Sequence, residues 1–173
     1  MSARRGGASP GPGMGLGTWV VTGMGLGLLR PAPGTWGSLP PVVLALVLAL
    51  GETNPRHIDM ALAVMGLVFG LGCLVWGDGA ERTFGKKDPG AVVADEVAGQ
   101  SLALMWLPWS TNNARIIATC AIAFFAFRFF DIVKPPPARG WQRFPGGLGI
   151  LIDDLVAGFY ALVTTHVLVR VLW

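Results

Sequence analysis

Charge is what this chain has least of. Lysine, arginine, aspartate and glutamate make up only 13% of its 173 residues, about half the ~25% share of an ordinary soluble domain. A surface solvated in the usual way is therefore excluded. Apolar residues account for 53% of the chain and mean hydropathy is +0.58, more than a soluble core of this size needs. The net charge is +3 and its cations are scattered, which excludes the basic stripe of a nucleic-acid binder. Cysteine is scarce as well. Cys73 and Cys120 lie in apolar stretches without metal-ligand spacing, so they read as small buried hydrophobes rather than a disulfide or a ligand pair. His57 falls in a polar loop and His166 deep in an apolar segment; both read as structural. No internal repeat and no heptad run is present. What remains is one integral membrane domain.

Residues 1–13 are rich in glycine and proline and read as a disordered lead-in. Their basic start also suits a cleaved signal, but glycines interrupt the apolar run that follows. Residues 14–173 form a single membrane-embedded domain, in which 14–29 reads as a loose helix or an interfacial segment. The stretch RPAPGTWGSLPP (30–41) is turn-rich and is expected not to form a regular helix. Five spans follow: 42–50 extended back toward Trp36, then 60–76, 92–107, 115–133 and 148–173. The expected architecture is an all-α integral membrane bundle of about five spans.

The loops orient it. Arg82, Lys86 and Lys87 share one loop, and Lys134, Arg139 and Arg143 another, whereas 51–59 and 108–114 carry only Arg56. Basic loops stay in the cytoplasm. This orientation brings Thr35–Ser38, Asp78, Asp95-Glu96, Arg128, Asp131, Lys134 and Asp153-Asp154 to one depth. A single site is expected there, at the cytoplasmic ends of the helices.

Two adjacent acidic pairs, Asp95-Glu96 and Asp153-Asp154, stand inside apolar helical segments. A charge at the bilayer centre costs about 2.5–3.5 kcal/mol on insertion scales, so four carboxylates need compensation. Neighbours on a helix diverge by about 100°, letting one member of each pair face a site while the other bonds elsewhere. Oxygen ligands from two helices suit a hard cation such as Mg2+, with Asp95, Glu96, Asp153 and Asp154 as its ligands. The alternative is interfacial carboxylates that snorkel into water. Gly99 and Gly158 follow the two pairs and allow their helices to approach closely. Arg128, Asp131 and Lys134, spaced i, i+3, i+6, line one stripe. Their cations suit phosphate oxygens, with Asp131 either orienting them or ligating the metal. Arg139 adds a further candidate contact. In GTWGSL (34–39), Thr35 and Ser38 with nearby backbone N–H groups either bind an anion ahead of span one or cap it.

Four blocks, GTWGSL (34–39), DPGAVVADEVAGQ (88–100), FRFFDIVKPPPAR (127–139) and GGLGILIDDLVAG (146–158), together resemble the phosphatidylglycerophosphatase A family. Their order and spacing match over roughly residues 20–165. The resemblance implies a Mg2+-dependent lipid phosphatase of the bacterial inner membrane that acts on a phospholipid substrate in the bilayer. It converts phosphatidylglycerophosphate to phosphatidylglycerol and phosphate. It also implies that Asp95, Glu96, Asp153 and Asp154 are active-site acids and that Asp131 and Lys134 belong to the site. The family usually carries an acidic residue where Gln142 stands and a larger aliphatic where Ala138 stands, so neither is given a role.

Two other classes fit the sequence less well. Asp78-Gly79-x-Glu81-Arg82 faintly echoes CDP-alcohol phosphotransferases, but the preceding and following aspartates of that pattern are missing. A carboxylate-based ion transporter would place its acids near the bilayer midplane, not near one face.

Overall fold

The computed structural model describes residues 15–86, 89–136 and 146–173. The lead-in expected over 1–13 lies outside them, as do Lys87, Ala138, Arg139, Gln142 and Arg143. The described residues are helical, with no strand among them: α1 Leu16–Val21, a 3-10 turn Leu26–Leu28, α2 Pro33–Leu50, α3 Pro55–Phe84, α4 Ala94–Ala103, α5 Asn113–Val133 and α6 Gly146–Leu172. Four of these, α2, α3, α5 and α6, are long and apolar enough to cross a membrane.

Local chemistry sets the ends. Pro55 occupies the first turn of α3, and the Asn54 side chain accepts the Arg56 N–H at 3.0 Å. Gly85 closes the same helix with φ 65°, the left-handed turn that glycine adopts without cost. Asn112 caps α5 by accepting the Arg115 N–H at 3.2 Å. α6 is capped from another helix: Asp78 of α3 accepts the Gly147 N–H at 3.0 Å.

Two expectations need correction. The stretch RPAPGTWGSLPP does enter a helix, since α2 begins at Pro33 and contains Pro40 and Pro41. Those prolines lie near the start, where they remove the N–H partners of only the Trp36 and Gly37 carbonyls. GTWGSL therefore sits within α2 rather than ahead of it. The Thr35 and Trp36 N–H groups are already bonded to the Ala32 carbonyl, at 3.0 and 3.3 Å.

The span expected over 92–107 is different in kind. Its helix, α4, has 10 residues, about 15 Å of rise against a hydrocarbon core of about 30 Å. It runs antiparallel to α3, with Ala98 beside Gly70 and Ser101 beside Gly66. Beyond its end the Trp106 N–H reaches Asp59 at 2.8 Å. α4 and its following turns thus travel along the bundle as a third pass between the long helices. The helix stops ahead of Trp106, at φ 55°, with Pro108 just beyond. Eight of its residues are buried, Ala94, Asp95, Val97, Ala98, Gly99, Gln100, Ser101 and Ala103. Irregular backbone at membrane depth is tolerated where protein encloses it.

The glycines expected to bring helices together do so. A Cβ at Gly99 would lie 2.5 Å from the Asp154 carbonyl oxygen, and one at Gly158 would strike the Gly99 carbonyl. α4 and α6 cross there backbone to backbone. The segment 15–31 holds no helix long enough to cross a membrane. α1 packs on α3, with Gly17 over the Trp76 ring, and the Val93 N–H donates to the Val21 carbonyl at 2.8 Å. This clasp holds the approach to α4.

Candidate active site

Asp95 and Glu96 lie in the first turn of α4, where a helix N-terminus favours negative charge. Asp154 meets them from α6. One carboxylate oxygen from each of Asp95, Glu96 and Asp154 lies within 4.8 Å of the other two. Asp95 is 5% exposed and Asp154 3%. The Gly99–Gly158 crossing one turn below is what brings the two helices near enough for this grouping.

Asp153 goes another way. The divergence of neighbouring helical residues turns it toward the end of α5, where it pairs with the Lys134 ammonium. The cation set expected from sequence thus divides, with three acids together and the fourth holding a lysine. Lys134 is the C-cap of α5 with φ 48°, and its N–H bonds the Phe130 carbonyl at 2.8 Å. This backbone turn carries its side chain back over the acids. Burial acts to lower the Lys134 pKa. The bond to Asp153 and the charges of Asp153, Asp154 and Asp131 outweigh it and hold the ammonium above the usual lysine value.

Arg128 and Asp131 form an ion pair at 2.7 Å across one turn of α5. Arg128 also lies near Glu96. A Cβ placed on Gly34 of α2 would lie against Glu96 Oε1 and 2.8 Å from Arg128 Nη1. Gly34 is therefore the wall of a cradle that Glu96 and Arg128 both border. The sequence showed it only as part of a glycine-containing stretch; its signal was the absence of a side chain in the first turn of a helix.

The other expected contacts fare differently. Ser38 is fully buried and its hydroxyl donates to the Gly34 carbonyl at 2.7 Å, so it braces the turn that presents Gly34. Thr35 is half-buried in the same turn. Arg139 lies outside the described residues. Asp78, at the same depth, is spent on capping α6.

The acids fit a divalent cation. Glu96 Oε2 and Asp154 Oδ2 are buried without a hydrogen-bond partner among the described residues. Uncompensated, such carboxylates repel each other and cost several kcal/mol. Mg2+ sits about 2.1 Å from each oxygen it binds, which places opposite ligands about 4.2 Å apart, compatible with the observed grouping. Around the acids, Lys134 and Arg128 supply positive groups for an anionic substrate.

Comparison with known proteins gives relatives over most of the chain. The profile of the family described as phosphatidylglycerophosphatase A matches residues 19–169. A Haemophilus influenzae protein named phosphatidylglycerophosphatase A is 37% identical over 148 residues, covering 83% of each chain. An Escherichia coli protein of the same name is 33% identical over 140 residues, covering 80% of this chain and 75% of its own. A Bacteroides thetaiotaomicron protein named putative phosphatidylinositol-3-phosphatase is 35% identical over 146 residues, covering 83% of this chain and 87% of its own. No solved structure matches.

Proposed function

Because the chain belongs to the phosphatidylglycerophosphatase A family, we propose that this lipid phosphatase hydrolyses the terminal phosphate of phosphatidylglycerophosphate, with Mg2+ held by Asp95, Glu96 and Asp154. The observation that carries the reading is the buried grouping of these three carboxylates within 4.8 Å, flanked by Arg128 and Lys134.

In the overall reaction water adds to phosphorus, the P–O bond to glycerol breaks, and the glycerol oxygen takes up a proton. Phosphoryl transfer needs charge neutralisation and positioning more than covalent help. Lys134 and Arg128 bind phosphoryl oxygens not engaged elsewhere. Asp153 and Asp131 hold those two cations in place through their ion pairs. A carboxylate oxygen not committed to the cation accepts the proton that the attacking water loses. A bound divalent cation supplies Lewis-acid charge to the phosphoryl oxygens. The acyl chains stay among the apolar helices while the headgroup reaches the acids.

The basic loops support an orientation in which this end of the bundle faces the cytoplasm, in a bacterial inner membrane, with the product entering phospholipid synthesis. A second reading is favoured by the relative named for phosphatidylinositol 3-phosphate: the same cradle accepts another lipid phosphomonoester.

The test is phosphate release by purified protein from phosphatidylglycerophosphate, with phosphatidylinositol 3-phosphate in parallel. Release is expected to require Mg2+ and to fall below detection in Asp95→Asn and Asp154→Asn. Full activity in EDTA, or in both variants, sinks the reading. Preference for the inositol lipid selects the second one.

A further inference from the structure

Gln100 plays no part in the chemistry so far. It is fully buried on α4, and neither atom of its amide has a hydrogen-bond partner among the described residues. A buried amide left in that state costs about 1–3 kcal/mol. The neighbouring polar residue of the same helix is satisfied, since Ser101 donates to the Val97 carbonyl at 2.7 Å.

Helix register supplies a partner. Gln100 follows Glu96 by four residues, so the two share a face. Helical side chains lean back toward the N-terminus, which lays the Gln100 amide over the turn that carries Glu96. Glu96 Oε2 is itself buried without a hydrogen-bond partner among the described residues, while Glu96 Oε1 lies toward Gly34. An amide donor and an anionic acceptor are thus left over one turn apart.

We propose that Gln100 is a positioning residue for Glu96. Its amide N–H donates through one buried water to the Glu96 carboxylate and holds it facing Asp95 and Asp154, since the two side chains make no direct hydrogen bond. A bridging water suits such a place because it needs several polar partners in a closed space. The proposal rests on the reading of Asp95, Glu96 and Asp154 as a cation site. Groups that orient a metal-binding side chain typically alter metal affinity 10–100-fold when removed.

The experiment titrates Mn2+ alone into the purified full chain in detergent, following free Mn2+ by electron paramagnetic resonance, with thermal unfolding of the metal-free protein measured alongside. Gln100→Met keeps the side chain's length and removes the donor. It is expected to weaken Mn2+ binding by about 10–100-fold while the metal-free melting temperature stays level or rises. Gln100→Asn, which keeps the amide but draws it back, is expected to weaken binding as well, and it stands in should the first variant not fold. Unchanged Mn2+ affinity in the folded variants overturns the proposal. So does a lowered melting temperature with affinity intact, which makes Gln100 a core group only. Failure of the unaltered chain to bind Mn2+ removes the cation site itself and the role of Gln100 with it.

Discussion

Gly34 shows how little material separates a working site from a blocked one. It contributes no side chain, and the space a methyl would take is occupied by Glu96 and Arg128. In Gly34→Ala one of the two must swing aside. Its backbone is ordinary α-helix, so the substitution carries no conformational penalty and even improves helix propensity. We expect phosphate release to fall about 100-fold, the scale of a 1 Å misplacement, with thermal stability unchanged or slightly raised. Wild-type kcat/KM in this variant refutes the cradle. Residues of this kind are hard to read from sequence. Asp95, Glu96, Asp153 and Asp154 were legible because charge in an apolar segment is costly. The split between Asp154 at the cluster and Asp153 on Lys134 was not, because it depends on the rotation of α6. Ser38 was legible as polar near a helix start, but its hydroxyl turns to the Gly34 carbonyl.

At the scale of the helices, the crossing of α4 and α6 is the contact on which the acids depend. Asp154 lies one turn before Gly158, and Asp95 one turn before Gly99. A methyl on Gly158 would meet the Gly99 backbone, which has no flexible end to move away. Gly158→Ala is expected to destabilise the protein by about 1–3 kcal/mol, the usual cost of overpacking, seen as a lower melting temperature in detergent. Weakened phosphate release should accompany it, as Asp154 is pushed from Asp95. An unchanged melting temperature contradicts the crossing. The long apolar helices were legible from hydropathy alone, and so was the close approach at the two glycines. The length of α4 was not. Its apolar content resembles a span, but its helix ends early, and the turns beyond it are held by contacts such as Trp106 with Asp59. α2 was misread for the opposite reason, since prolines near a helix start do less harm than prolines in its middle.

Across the whole molecule, the two ends of the bundle differ in chemistry. One gathers Gly34, Arg128, Lys134 and the acids. The other joins the 51–54 loop to 109–113, where Glu52, Thr53, Asn54, Ser110 and Asn113 border a common cleft. Native Cys73 and Cys120 are 0% and 2% exposed, so an added cysteine can be labelled against a low background. With an impermeant maleimide on intact cells, Glu52→Cys is expected to label directly and Lys86→Cys only after permeabilisation. The reverse pattern overturns the orientation inferred from the basic loops. The four long apolar helices, and a fifth apolar stretch between them, were legible in the alternation of apolar and polar segments. Their inequality was not, because hydropathy does not say which pass is enclosed by the others.

That enclosure bears on how the protein is made. α4 carries two carboxylates, and eight of its residues are buried against neighbouring helices. As a nascent segment it lacks the length and the apolar surface to partition into lipid unaided. It gains its shelter only when α5 and then α6 have been synthesised and Gly158 arrives to receive Gly99. The enclosure of α4 is thus completed only by α6. A chain interrupted before α6 leaves α4 without the backbone on which Gly99 rests and without the carboxylate of Asp154 beside Asp95 and Glu96.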